Sequence, residues 1–173
     1  MPSKPKLSAI ILNFNSGSYL ADCLASIAQS DFPRSQMELI IVDNNSTDNS
    51  LEQIANSKSQ ITNKFKYPNF KIIKNDRNLG FSKGNNIGVK QAGGDYILFL
   101  NPDTRVEKNT LSRISSFMDK HPRADAATCF VRLAKTGKLQ KECHRGFPTP
   151  WRAFCHFSGL EHLFPTRDRK SVV

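Results

Sequence analysis

Leu7-Ser-Ala-Ile-Ile-Leu-Asn-Phe14, closed by Asn15-Ser-Gly17 and followed by Leu20, Leu24 and Ile27, is the stretch on which the fold turns. A short, mostly apolar run ended by turn formers reads as a buried strand, and apolar residues at i, i+4 and i+7 then read as one helix face. The pattern recurs. Met37 to Val42 is a second apolar run, Asp43-Asn-Asn-Ser-Thr-Asp48 a turn rich in capping residues, and Leu51, Ile54 and Ala55 mark a second helix face. Phe70 to Ile73 gives a third strand, Asn75 to Gly80 a loop, and Phe81 to Gln91 a helix carrying Ile87. Tyr96 to Leu100 is the most apolar strand. Asn101-Pro-Asp-Thr104 follows it, then a helix from Asn109 to Lys120 with Leu111, Ile114, Phe117 and Met118 on one side. Four βα units in succession predict an α/β fold, a mostly parallel sheet with helices on both faces. Right-handed crossovers place the carboxyl ends of all four strands on one rim, where open α/β sheets bind ligands.

The 173 residues, 38% hydrophobic and 23% charged, fit an ordinary globular chain and disfavour disorder or a disulfide mini-scaffold. The net charge of +10 is uneven: +3 over residues 1–100 and +7 over residues 101–173. Cys23, Cys129, Cys143 and Cys155 are widely spaced with no C-x-x-C pair, which predicts reduced thiols and a cytoplasmic setting. The polar start, Met1 to Lys6, and the brief apolar run Ala9 to Leu12 match neither a secretion signal nor a membrane span. Asn56 to Asn69, polar and lysine-bearing, reads as a surface loop.

The rim is rich in polar side chains. Asn13 and Asn15 follow the first strand, Asp43, Asn44 and Asn45 the second, Asn75, Asp76, Arg77 and Asn78 the third, and Asn101 and Asp103 the fourth. Such residues suit turns anywhere, but four clusters on one rim point to a site. Asp43 can accept a hydrogen bond from a nucleobase imide or a ribose hydroxyl, or it can cap the turn into the second helix. In Asn78-Leu-Gly-Phe-Ser-Lys-Gly-Asn-Asn86, Gly80 and Gly84 allow close backbone approach to a ligand, and free amides at a helix start suit a diphosphate. The spacing is neither a P-loop nor G-x-G-x-x-G, which argues against a dinucleotide-dependent dehydrogenase. Asp103 is aimed at the rim by its strand, with the backbone before it fixed by Pro102. A lone carboxylate there can hold Mg²⁺ or Mn²⁺ whose other ligands are waters and phosphate oxygens, or it can face a helix dipole. His121, His144, His156 and His162 share no zinc spacing, and no G-x-S-x-G is present.

In order along the chain, Ala9-Ile-Ile-Leu-Asn-Phe-Asn15, Ile41-Val-Asp-Asn-Asn-Ser-Thr-Asp-Asn-Ser50, Asn75-Asp-Arg-Asn-Leu-Gly-Phe81 with Gly84-Asn-Asn86, and Gly94-Asp-Tyr-Ile-Leu-Phe-Leu-Asn-Pro-Asp103 resemble the family 2 glycosyltransferases of the Rossmann-like GT-A fold. Within that family the chain looks most like the rhamnosyltransferase-like branch, a likeness extended by Lys138-Leu-Gln140 and His144-Arg-Gly-Phe-Pro-Thr-Pro150. The resemblance implies a nucleotide-sugar domain over residues 1–132 and the basic, incomplete start of an acceptor-side region over 133–173. It implies a donor site of Asn13, Asn15, Asp43, Asp76, Arg77, Asn78, Gly80, Gly84, Asn85 and Asn101, with the divalent metal on Asp103. Family members usually carry Asp-x-Asp at the last place, and here Asn101 replaces the first Asp. An inverting transfer needs a catalytic base, which the resemblance places beyond Val173; Asp168, among Arg167, Arg169 and Lys170, matches no base motif.

The resulting expectation is an inverting, metal-dependent transfer of a sugar from a nucleoside diphosphate, dTDP-rhamnose or a UDP-sugar, to a hydroxyl of a lipid-linked or surface polysaccharide acceptor. The alternative is a donor-binding or interaction module of the same fold without efficient transfer. Residues 132–170 carry nine basic and three acidic side chains. That excess suits a peripheral contact with the inner face of a membrane, a diphosphate-linked acceptor or a solvated surface. No nucleic-acid-binding module is recognisable.

Overall fold

The computed structural model describes residues 4–56, 69–140 and 150–158. Its first compact unit, Met1–Ala127, holds a four-stranded, wholly parallel sheet. In chain order it is built from β1 (Leu7–Asn13), α1 (Tyr19–Ala28), β2 (Met37–Asp43), α2 (Ser50–Asn56), β3 (Asn69–Lys74), α3 (Phe81–Gln91), β4 (Tyr96–Leu100) and α4 (Thr110–Lys120). A single 3-10 turn, Arg34–Gln36, leads into β2. All four βα units of the sequence are present, their ends within a residue or so of expectation. Of the expected surface loop, residues 57–68 lie outside the described ones.

The sheet order is β3-β2-β1-β4. The chain winds outward from β1 to β3 and then crosses to the other side of β1, so the winding reverses between β1 and β4. In open α/β sheets that reversal opens a crevice at the strands' carboxyl ends. Register fixes what lines it. Asn13 pairs with Asp43 at the ends of β1 and β2, and Leu100 at the end of β4 pairs with Ile11.

Helices cover both faces. On one, Leu20, Cys23, Leu24 and Ile27 of α1, Ile54 of α2 and Leu111 of α4 pack on Leu7, Ala9, Ile11, Leu39 and Ile41. On the other, Ile10, Ile40 and Val42 meet Ile87, Val89 and Ala92 from α3 and the turn after it. Each fully buried Ile or Val contributes roughly 1.5–3 kcal/mol by leaving water, and β1 and β2, apolar on both faces, are the two strands with such burial on both sides. α3 approaches closely because Gly84 and Gly88 present no side chain. A Cβ on Gly84 would stand 2.4 Å from Leu12 Cδ1, and one on Gly88 2.5 Å from Ile10 Cγ2.

β4, expected from composition to be the most apolar strand, is an edge of the sheet among the described residues, as β3 is on the other side. Tyr96, Leu98 and Leu100 point into the core, whereas Ile97 and Phe99 on the α3 side are 41% and 53% exposed. The reason is geometric: α3 lies over β1 and β2 and stops short of β4.

The second compact unit, Thr128–Val173, contains an antiparallel bridge between Arg132 and Leu139 and the helix α5 (Pro150–Phe157). The boundary expected at 132/133 falls just inside this unit. Cys23, Cys129 and Cys155 are free thiols. Among the described residues no helix is long and apolar enough to cross a membrane.

Candidate functional site

The loops leaving β1, β2 and β3 are joined by one continuous hydrogen-bond network. Asn13, fully buried, donates from Nδ2 to Asp43 Oδ1 at 2.7 Å and to the hydroxyls of Ser46 and Ser50, each at 3.0 Å. Its Oδ1 accepts from the Ser16 hydroxyl. Asp43, also buried, takes a second bond on Oδ1 from Ser46 Oγ (2.6 Å) and one on Oδ2 from the Ser46 backbone N–H (3.1 Å). The last contact is the turn-capping role open to a strand-end aspartate.

Asn15 adopts a left-handed φ of 49° and uses its Oδ1 to accept the N–H groups of Thr47 (2.8 Å) and Asp48 (3.3 Å). Asp48 returns the connection, accepting Gly17 N–H at 2.7 Å on one oxygen and the hydroxyl and N–H of Ser50 on the other. The Ser50 hydroxyl outweighs burial, which would push the Asp48 carboxyl up, and holds it below the ordinary range, with the Gly17 and Ser50 amides adding to the lowering. Asn44, buried beside Asp43, joins the third loop. Its Nδ2 donates to Asn78 Oδ1 (2.9 Å) and its Oδ1 accepts from Asn75 Nδ2 (2.9 Å). Asn78 Oδ1 in turn accepts the Gly80 N–H at 2.8 Å. Gly80 has φ 79° and ψ 173°, a conformation that only glycine takes readily, and it turns the chain into α3 with no side-chain cap on the helix start. The first amides of α3 therefore open at the rim beside this network.

Asp76 and Arg77 are exposed on the β3 loop. Two further expected donor residues, Gly84 and Asn85, lie in the first turns of α3. Gly84 is buried, and its backbone lies close against Leu12 of the sheet. Asn85 is buried and donates to the Phe81 carbonyl one turn back, at 3.0 Å. Glycine spacing reveals that something comes near the backbone without revealing from which side.

The β4 turn is anchored separately. The Asn101 carbonyl accepts from Thr104 N–H (3.2 Å) and Oγ1 (2.6 Å) and, from α1, the Cys23 thiol at 3.8 Å. Asp103 is exposed on this turn. It lies near enough to Cys23 that its charge adds to burial in raising that thiol to about 12, against the Thr104 hydrogen bond that lowers it. Among the described residues no three His, Cys, Asp or Glu side chains converge to form a cage for a metal. The donor set fits a hard divalent ion in one mode alone: a single carboxylate, with waters and substrate oxygens filling the other positions.

Ser46 and Asp48 are not singled out by the sequence for the site, and Asn44 only as part of a rim cluster, yet the three hold it together. All three lie in Asp43-Asn-Asn-Ser-Thr-Asp48, the segment whose capping residues were already noticeable.

Comparison with known proteins agrees with this architecture. The poly(ribitol-phosphate) beta-N-acetylglucosaminyltransferase TarS of Staphylococcus aureus is 32% identical over 117 residues, which is 67% of this chain and 19% of TarS. The crystal structure of S. aureus TarS 1-349 in complex with UDP-GlcNAc superposes with a TM-score of 0.59 at 32% identity, over 68% of this chain and 32% of that one. A mannosyltransferase from Pyrobaculum calidifontis in complex with GDP-Man and Mn²⁺ superposes with a TM-score of 0.61 over 78% of this chain and 37% of that one; at 16% identity it shows the shared GT-A-like fold alone. This chain thus spans about a fifth of TarS. The family model for "Glycosyl transferase family 2" matches residues 8–165, from β1 through the rim loops and beyond α5. With the parallel sheet, the reversal between β1 and β4 and the wired rim all inside that match, the chain belongs to glycosyl transferase family 2.

Proposed function

We propose that the rim binds a nucleoside diphosphate sugar and that the chain serves transfer of the sugar to a hydroxyl acceptor in surface polysaccharide or glycolipid synthesis, with inversion. The observation that carries this reading is the hydrogen-bond state of Asp43. A carboxylate offers about four lone-pair positions. Asn13 and Ser46 fill three of them, leaving one on Oδ2 for a single incoming donor such as a nucleobase imide or a ribose hydroxyl. Asn15 and Asn78 shape the walls on either side, and Asp76 and Arg77 border the diphosphate. The first amides of α3, entered through Gly80, face the phosphates, since uncapped helix starts favour anions.

Asp103 would hold Mg²⁺ or Mn²⁺, with Asn101 completing the turn as a neutral neighbour. Such an ion, when bound, neutralises charge on the departing diphosphate. With Asp103 as the one carboxylate, the site would hold such an ion weakly without nucleotide. No acid among the described residues is assigned as the base that deprotonates the acceptor. The likeness of TarS supports a UDP-sugar, and that of the Lys138–Pro150 segment to rhamnosyltransferase-like members keeps a deoxythymidine diphosphate sugar as the second donor to test. Function at the inner face of the cell membrane, with a cytoplasmic donor supply, accords with this chemistry.

Calorimetry with uridine and deoxythymidine diphosphates, with and without Mn²⁺, tests the reading. One of the two should bind, and Mn²⁺ should tighten it in the wild type while doing little for Asp103→Asn. Failure of both nucleotides to bind, with and without metal, would overturn it.

A further inference from the structure

The second unit carries a surface that donor binding does not use. In α5, Trp151 and Phe154 stand at i and i+3, their rings stacked with centroids 5.7 Å apart and planes at 27°. They are 56% and 55% exposed, whereas Cys155 beside them is buried. The helix thus has an inward side and an aromatic outward side. Phe130, Leu133 and Leu139 of the same unit are exposed as well, so this short stretch bears half of the large apolar side chains exposed among the described residues. Apolar exposure so concentrated marks an interaction surface.

We infer that the Trp151–Phe154 face of α5 docks the protein on an anionic membrane surface. Charge selects this occupant. Residues 132–170 carry nine basic and three acidic side chains, bracketing α5 on both sides in the sequence. Basic segments beside an exposed aromatic pair match a phospholipid interface, where the rings sit at headgroup depth and the cations meet the phosphates. A single-stranded nucleic acid is the other polyanion that aromatic and basic residues attract, but it needs open ring faces to stack its bases on. Here each ring spends one face on its neighbour, and the sequence carries no recognisable nucleic-acid-binding module. The inference does not depend on the donor site and would stand if no nucleotide bound.

Trp151 is the chain's sole tryptophan, so its fluorescence reports on this face alone. The full chain is titrated with vesicles of phosphatidylcholine, with or without phosphatidylglycerol, at low and high salt. Emission should shift to the blue with the anionic vesicles, at a lipid concentration about tenfold lower than with neutral ones, and salt should reduce the difference. Phe154→Ser, which keeps the reporter, should weaken vesicle binding several-fold with an unchanged far-ultraviolet circular dichroism spectrum. Retained vesicle binding by that variant overturns the proposal. So does unshifted emission with both vesicle types, or an equal response to neutral and anionic lipid. A blue shift that grows with protein concentration without lipid would mean self-association instead, and a response to a short RNA but not to vesicles would mean nucleic acid; either result also overturns it.

Discussion

Asn13 and Asp43 stand opposite each other at the ends of β1 and β2 and join their side chains in a buried hydrogen bond of 2.7 Å. The pairing makes the central strands converge on one carboxylate whose orientation is fixed before any ligand arrives. It also means that Asp43 serves folding and the proposed donor site together, so that substitutions there confound the two.

Ser46 separates them. Asp43→Ala should lower stability by about 2–3 kcal/mol, because it takes an acceptor from the Asn13 amide, the Ser46 hydroxyl and the Ser46 N–H, and should weaken nucleotide binding by roughly 1–3 kcal/mol. Ser46→Ala removes three of the network's hydrogen bonds, those its hydroxyl accepts from Asn13 Nδ2 and the Asn15 N–H and the one it donates to Asp43 Oδ1, without touching the open lone pair on Asp43 Oδ2. It should cost about 1 kcal/mol of stability and leave nucleotide affinity within about twofold. Urea denaturation and calorimetry on both variants provide the comparison. Equal affinity losses would show that Asp43 acts on the ligand through the fold alone.

The contact between Gly84 and Leu12 gives a packing prediction. Gly84→Ala places a methyl 2.4 Å from Leu12 Cδ1, which should cost about 1–3 kcal/mol by overpacking. Truncating the neighbour to Val or Ala opens the space, so Gly84→Ala with Leu12→Ala should be more stable than the sum of the single losses predicts. Strict additivity in a thermal denaturation cycle would show that α3 shifts away instead of pressing on β1.

That glycine also illustrates how far the sequence could be read. Runs such as Ile10-Ile-Leu12 and Leu39-Ile-Ile-Val42 are legible because a strand buried on both faces must be apolar at successive positions. Helix faces such as Leu20, Leu24 and Ile27 are legible because their period is fixed. The polar rim was visible as composition. Which rim residue bonds to which was not, because Asn44 to Asn78 and Asp48 to Gly17 are long-range pairings that depend on strand order. That Gly84 packs on Leu12 is not legible either, because sequence spacing carries no information on which side of a helix faces the sheet. The exposure of Phe99 was likewise hidden: edge position follows from topology, whereas composition marked β4 as the most apolar strand.

Cys23 lies wholly within the core on α1, and burial chiefly pushes its thiol up to about 12. Thiolate is the reactive species. In native protein at pH 8, Cys23 should therefore react with a thiol reagent far more slowly than in urea, where it regains an ordinary thiol's reactivity. Peptide mapping after a short pulse of iodoacetamide distinguishes it from the other cysteines. Labelling of Cys23 at the same rate in both conditions would show that α1 opens readily from the sheet.

At the other end of the sheet, Glu38 is a buried carboxylate that ties the turn before β4 to β1 and β2. It accepts the Ser8 hydroxyl at 2.5 Å and the Gly93 N–H at 2.8 Å on one oxygen and Lys71 Nζ at 2.9 Å on the other; the Ser8 hydroxyl also accepts the Gly94 N–H. Burial alone would push its carboxyl up, but the Gly93 amide, Ser8 and Lys71 together outweigh burial and hold it below the ordinary glutamate range. A group whose native value is depressed contributes stability that is complete above its unfolded value and is lost as pH falls through the native one. Glu38→Gln keeps an acceptor for the Gly93 amide and forfeits the charge. It should cost about 1–2 kcal/mol at neutral pH, and the gap between wild type and variant should close on acidification from about pH 6 to about pH 3, the range in which carboxylates take up protons. Urea midpoints measured at several pH values for the two proteins give that difference directly. A gap that stayed constant across the range would mean that the Glu38 charge adds nothing to holding the turn, and that its hydrogen bonds act as a neutral clasp.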